Sequence, residues 1–350
     1  MSEIKVNSIK GVGASAAAIT VNNTDGTCTA NLSNRQGKNL IINGAMQVSQ
    51  RGTSSTSTGY QTVDRFNLRA TNTDNWAFTQ THEDVAVNEP PYYTDGHRKY
   101  YDIQTTTIET SLEANEYVDI FQRLEANNTA HLGYGQSGGT AKTLTISFWV
   151  RAYQTGTYNF YLYLSGGKMQ TKAYTISSSN TWEKKTIVIE PTGADAQLPS
   201  VNESFQCGWM LAAGSDYTSG SNSTSYVTYA NPNFAAGQTG QITSSTNNFF
   251  HLTGVQLEVG SVATDFEHLS FADELRRCQR YYYVYADARD SGSTAQLATG
   301  FAYHNGQAEV TIHYPVMRAS PSLVQGSGTD YFKVINSNNN DTFDSFSIYQ

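Results

Sequence analysis

Between residues 144 and 151 the chain alternates without a break. Leu144, Ile146, Phe148 and Val150 fall on one side, and Thr145, Ser147, Trp149 and Arg151 on the other. A period of two is that of a strand with one face buried. After a turn at residues 154–156 the pattern resumes, with Tyr158, Phe160, Leu162 and Leu164 facing one way and Asn159, Tyr161 and Tyr163 the other. WEKKTIVIE, FQCGWMLAAG, SYVTYA and FFHLTGVQLEVG read as further strands. In the last, Leu252, Val255, Leu257 and Val259 mark a closing strand, and NLIINGAMQVSQRG opens the run. Strands recurring across turn-rich gaps from Asn39 to about Phe266 predict a sandwich or barrel. No repeat with a period of about 20–50 residues interrupts that reading.

One stretch changes period. Ser270 stands before FADELRRCQRYY, with Asp273 three residues on and Arg276, Arg277 and Arg280 toward the far end, the acid-first, base-last order that a helix dipole favours. Phe271, Leu275, Cys278 and Tyr282 make an apolar stripe that needs a partner surface, and Phe271 and Leu275 are expected to pack on the preceding β body. The helix at 268–285 would then join that body to a small β module, 286–350. There FAYHNGQAEV predicts a hairpin around Asn305-Gly306, and YFKVIN and FSIYQ supply further strands. At the other end, residues 1–38 hold short alternations near Ile4–Ile9 and Ile19–Val21 and a turn at Asp25-Gly26. They are too poor in large apolar residues to bury a core unaided, so this lead either pairs with something or stays disordered.

Composition supports β structure. Charged residues are 15% of the 350, against about a quarter in an average domain, while Tyr (23) and Gly (28) are abundant. The net charge of −8 is spread thinly, with no run of Lys or Arg, which argues against a nucleic-acid groove and an anionic membrane surface. No apolar run approaches the ~20 residues of a membrane span, and the N-terminus does not read as a signal peptide, so synthesis and folding in a cytoplasm are expected. Cys28, Cys207 and Cys278 are too far apart to imply a disulfide framework or zinc knuckle.

Catalytic patterns are weak. Gly135-Gln136-Ser137-Gly138-Gly139 fits G-x-S-x-G, and Gly133, Gly135 and Gly138 fit G-x-G-x-x-G. Both need a helix to follow, whereas AKTLTISFWV is a strand, so a glycine-rich loop is the better account. Neighbouring carboxylates such as Glu83-Asp84 and Asp273-Glu274 do not mark a facing pair, and the seven His have no metal spacing. No catalytic residue, cofactor or metal is expected. Candidate chemistry lies instead in aromatic side chains on the polar faces of strands: Trp149 with Arg151, Tyr161 and Tyr163 on the next strand, and Trp209 on a later one. Flat rings beside hydroxyl and guanidinium donors suit sugars, which present an apolar C–H face and a polar rim. The alternative is that the rings pack under a loop or against a sister subunit.

Several strings together resemble bacteriophage tail fibre and tail appendage proteins: NLIINGAMQVSQRG with VDRF, ISFWVRAYQTGTY, TWEKKTIVIEPT, HYPVMRASPSL, and above all LTGVQLEVGSVATDFEHLSFADELRRCQRYY. The resemblance implies an all-β chain with a jelly-roll β-sandwich body (39–267) similar to carbohydrate-binding modules. A short N-terminal β anchor (1–38) would attach to other tail proteins, and the connecting α-helix would lead to a small C-terminal β tip. It further implies a homotrimeric virion protein that attaches to a host cell-surface glycan or other receptor. A purely structural appendage and, less favoured, a polysaccharide depolymerase are the rivals. Related jelly rolls hold a structural Ca²⁺, and Asn43, Gln47 and Glu258 lie in the matching segments. The acidic pair that precedes their final strand is here Thr253-Gly254, so no metal is expected.

Overall fold

The computed structural model describes residues 8–9, 19–21, 28–30, 37–109, 111–135, 141–192, 203–286, 298–304, 307–325, 332–336, 339–343 and 345. The chain divides into two compact units, 1–278 and 279–350.

In the first unit three short strands, β1 (Ser8–Ile9), β2 (Ile19–Val21) and β3 (Cys28–Ala30), pair antiparallel in that order. The body follows: β4 (Ser54–Ser55), β5 (Asn67–Thr71), β6 (Ala77–Asp84), helix α1 (Pro90–Asp95), β7 (Lys99–Thr107), β8 (Tyr117–Glu125) and the short helix α2 (Ala126–Thr129). It continues through β9 (Leu144–Ala152), β10 (Gly156–Leu164), β11 (Lys168–Ile176), β12 (Glu183–Ile189), β13 (Glu203–Ala213), the turn of helix α3 (Ser215–Thr218), β14 (Val227–Thr228) and β15 (Phe249–Val259). These strands form two six-stranded antiparallel sheets, β14-β11-β10-β13-β8-β5 and β12-β9-β15-β7-β6-β4, a jelly-roll β-sandwich.

The strands alternate as their sequences predict. Leu144, Ile146, Phe148 and Val150 of β9 are wholly buried, and across the sandwich so are Phe160, Leu162 and Leu164 of β10, with Tyr158 nearly so. The connection between β9 and β10 is only residues 153–155, yet it carries the chain from one sheet to the other. Consecutive strands with the same alternation therefore turn their polar sides to opposite faces of the sandwich.

The opening string NLIINGAMQ is not a strand. Asn43 and Met46 have φ of 61° and 56°, and the segment folds as a buried turn against β15. Leu40 N donates to Leu257 O and Val255 N to Gly44 O, both at 2.9 Å. The backbones approach so closely that a Cβ on Gly44 would lie 2.0 Å from Val255 O. Asn39 accepts from Leu257 N and donates to Val255 O, while the Asn43 amide donates to Val48 O and Asp64 O. Two of the strings that carried the resemblance thus meet in space, joining the start of the body to its last strand.

Helix α4 (Phe271–Gln279) docks on the same knot. Ser270 caps it as expected: its Oγ accepts from Asp273 N at 3.2 Å and donates to the Asp273 carboxylate at 2.6 Å. The buried stripe differs from the expected one. Glu274 and Cys278 face the body, Leu275 is half-buried, and Phe271 is 56% exposed. Glu274 is held there by the backbone, since Asn43 N donates to Glu274 Oε1 at 2.6 Å. Phe271 lies on the same helix face as Cys278, seven residues on, but as the first residue of the helix it stays exposed. Up to Cys278 the helix belongs to the first unit.

In the second unit β16 (Gly300–His304) pairs with β17 (Gln307–Val310), the hairpin predicted around Asn305-Gly306, and β18 (Phe332–Asn336) pairs with β19 (Asn339–Phe343). The Asn305-Gly306 turn itself, the FSIYQ segment, the Ile4 end of the first predicted strand, the Asp25-Gly26 turn and most of the glycine string at 136–140 with Ser137 lie outside the described residues. Among the described residues no helix is long and apolar enough to cross a membrane.

Candidate functional site

The five candidate residues do not share a surface. Trp149 and Arg151 project from β9 on the outer side of one sheet, and Tyr161 and Tyr163 from β10 on the outer side of the other. Trp209 of β13 lies between the sheets, fully buried against Phe66, Phe148 and Phe160. Its exclusion from any outer face is a correction with a simple cause. Its register partner is Phe160, a core residue, and the apolar run Trp209-Met210-Leu211 offers no alternation from which to choose a face.

The Trp149 face is covered by the β6–β7 connection and α1. The Trp149 indole N–H donates to Asp95 Oδ2 at 2.8 Å, Lys184 binds the same carboxylate at 2.6 Å, and only 7% of Trp149 remains accessible. Arg151 is held on every side. Its Nε donates to His251 Nδ1 at 3.0 Å, its NH1 pairs with Glu89 at 2.5 Å, and its guanidinium lies over Trp182 and Tyr100. Burial lowers the His251 pKa, so the ring is neutral, and its Nε2–H faces Asp102 Oδ1 at 2.9 Å. With both ring nitrogens occupied, His251 has no lone pair left to act as a general base. This face is a structural lock, and Trp149 is not available as a platform.

The second face has a different character. Tyr161 lies flat across β13, because a Cβ on Gly208 would stand 2.2 Å from the Tyr161 ring. Its hydroxyl donates to Asp119 at 2.6 Å and accepts from Gln206 at 2.7 Å, and Asp119 in turn holds Arg69 through Nε (2.8 Å) and NH2 (2.6 Å). Burial, with the Asp119 charge adding, pushes the Tyr161 phenol well above its usual range, while for Arg69 burial acts to lower the pKa and the Asp119 charge and hydrogen bonds outweigh it and raise it. The segment from α3 to residue 241 crosses this face. Phe234 packs on Tyr161 with ring centroids 4.7 Å apart, and Asn159 Nδ2 donates to Ala236 O. Tyr161 is therefore a fully covered strut beneath a plug, which corrects its reading as a sugar contact.

Around the plug a rim stays accessible. Tyr163 and Tyr229 meet edge to face at 5.9 Å, Tyr229 and Tyr117 both abut Phe234, and Tyr117 also meets Tyr217. Arg69 lies 5.0 Å over the Tyr117 ring and 4.9 Å over Phe121, and Arg123 lies 5.3 Å over Phe121. Tyr163 and Tyr117 are half-buried and Tyr229 is 37% exposed. Burial, reinforced by the neighbouring Tyr117 and Tyr217, pushes the Tyr229 phenol up to about 12, so it remains a neutral donor. Of the predicted candidates only Tyr163 stands here. Tyr117, Tyr229, Arg69 and Arg123 join it from strands and a loop distant in sequence, and nothing in their local alternation marks them. Three partly exposed tyrosine rings with two guanidinium groups form an amphipathic surface of the kind that meets C–H groups and donates to hydroxyls.

Among the described residues no three His, Cys, Asp or Glu side chains converge as a metal centre. Asn43 Oδ1 accepts from Val48 N, and Glu258 accepts from Thr264 and Gln256.

No protein-family model matches the chain, and no curated protein matches it. Solved structures with a similar fold include the enzymatically active domain of tailspike protein 4 of bacteriophage CBA120. It shares 11% identity at a TM-score of 0.32, over 65% of this chain and 24% of that one. A family 4 carbohydrate-binding module shares 13% identity at a TM-score of 0.29, over 63% of this chain and 99% of the module. A family 11 module from Clostridium thermocellum, in complex with a mixed-linked tetrasaccharide, shares 11% at 0.27, over 62% of this chain and 98% of the module.

Proposed function

We propose that this chain is a virion structural protein of the bacteriophage tail-fibre or tail-appendage kind, which attaches to host cells by binding a surface glycan at the tyrosine rim. The observation that carries the reading is the set of partly exposed Tyr117, Tyr163 and Tyr229 rings beside Arg69, on a sheet face otherwise plugged. The motif resemblance supplies the virion setting. In this reading residues 1–38 dock on another tail protein, three copies assemble, and the protein is made in the host cytoplasm before joining the tail. No covalent chemistry is assigned to it. A single sugar site of about millimolar strength contributes roughly 4 kcal/mol. Linked copies would lengthen residence on a glycan-coated surface without any new contact.

The test is a glycan array with the parent chain and a Tyr163→Ala/Tyr229→Ala double variant. Binding by the parent that disappears in the folded variant supports the rim. An array silent for the parent favours the second reading, a purely structural appendage. The covering of Trp149 by α1 and of Tyr161 by Phe234 is the observation on its side. Release of reducing ends from host capsule or lipopolysaccharide would instead mark a depolymerase.

A further inference from the structure

Where β7 ends, the Glu109 backbone N–H donates to Thr243 O at 2.9 Å. Glu109 is 6% exposed and Thr243 1%. Glu109 Oε1 accepts from Asn75 Nδ2 at 3.3 Å, but Glu109 Oε2 and the Thr243 hydroxyl have no hydrogen-bond partner. Both residues line a pocket of about 140 Å³, with Gln241, Ser244 and Leu112 completing its wall. Asp74, Glu113 and Glu116 stand near, and burial together with the charges of Glu109, Glu113 and Asp74 pushes the Glu116 carboxyl up. A buried carboxylate oxygen and a buried hydroxyl without partners are each costly, by about 1–3 kcal/mol or more for the charged group.

We propose that this pocket binds a hard divalent cation such as Ca²⁺, held by the Glu109 carboxylate and the Thr243 hydroxyl, with water completing the shell. Ca²⁺ takes about six to eight oxygen ligands and tolerates irregular geometry, which suits one carboxylate, one hydroxyl and several waters. The volume admits an ion with a few waters at about 30 Å³ each. With a single carboxylate in the pocket the site belongs to the weak class, Kd of about 10⁻⁴–10⁻³ M, suited to an extracellular medium. The surrounding acids add attraction without direct ligation.

Trp76 offers a reporter. Its indole N–H donates to Thr105 Oγ1, whose own hydroxyl donates to Ile242 O, next to Thr243. Full-length protein is titrated with Ca²⁺ while the thermal midpoint is followed, and with Tb³⁺ while lanthanide emission is excited through tryptophan. Millimolar Ca²⁺ should raise the midpoint and displace Tb³⁺. Glu109→Gln should weaken both responses at least tenfold and, without cation, melt above the cation-free parent, because an unpaired charge has been removed. Thr243→Val, which keeps the side-chain shape, provides the second variant should Glu109→Gln fold poorly, and it should also weaken binding. Trp76→Phe should lose emission but keep the Ca²⁺ effect. No response of the parent to either ion at 10 mM, or a response unchanged in Glu109→Gln and Thr243→Val, overturns the site.

Discussion

Gly208 decides where Tyr161 can lie. With the ring 2.2 Å from any added Cβ, Gly208→Ala must lift Tyr161 off β13 and away from Asp119 and Gln206. A loss of about 1–3 kcal/mol in urea denaturation is expected. Tyr161→Phe should cost about 1–2 kcal/mol by leaving the buried Asp119 one donor short, without changing glycan binding, since the ring is covered. His97 sets a pH limit. It is 1% exposed, neither ring nitrogen has a partner, and burial drives its pKa to about 3. A folded pKa below the unfolded one of 6.5 means the neutral ring is favoured in the fold. Its contribution is complete above pH 6.5 and fades as pH falls toward 3. In His97→Leu the thermal midpoint should therefore fall less steeply across that window than in the parent. The sequence shows these residues but not their surroundings. Tyr161 and Tyr163 have the same place in the alternation, and only the distant Phe234 makes one a strut and leaves the other at the rim.

At the scale of elements β9 and β10 are legible in their alternation, β12 to β15 as strand-like runs and α4 in its cap and charges, while β11 goes unread. Less legible is what covers them. The α1 segment and the α3–241 segment have neither period, yet they decide which outer residues meet solvent. The sheet to which a strand belongs is equally silent, because β9 and β10 read alike and separate through residues 153–155 alone. The NLIINGAMQ turn misleads for another reason: its apolar residues are buried as a strand's would be, but Asn43 and Met46 at positive φ break the extended path. The docking of α4 through Glu274 is testable. Glu274→Ala removes the acceptor of Asn43 N and should cost about 1–3 kcal/mol, with faster hydrogen exchange at Asn43 and along the helix. Burial raises the Glu274 pKa, so its deprotonation disfavours the fold. That share of stability is present below 4.5 and is lost as pH rises through the folded value. In Glu274→Gln, which keeps an acceptor, this pH dependence should vanish.

At the scale of the whole molecule, the two clusters of buried apolar side chains found among the described residues lie in the jelly roll. In the second unit Phe301, Val310, Tyr314, Val316, Leu323 and Val324 are all exposed in one copy. A two-stranded sheet by itself is marginal in water. In the trimeric reading proposed above, sedimentation of the full chain should give about three times 38.4 kDa, and Val316→Asp with Val324→Asp should shift the population toward single copies while the jelly roll still melts cooperatively. Asn43 and Glu274, whose bond helps close the body, stand 231 positions apart. At about 5–20 residues per second on a ribosome, the opening turn waits on the order of tens of seconds for its partner to emerge. Through that interval the nascent chain carries unsealed strand edges, so yield in a producing cell should depend on how well neighbouring nascent chains are kept apart.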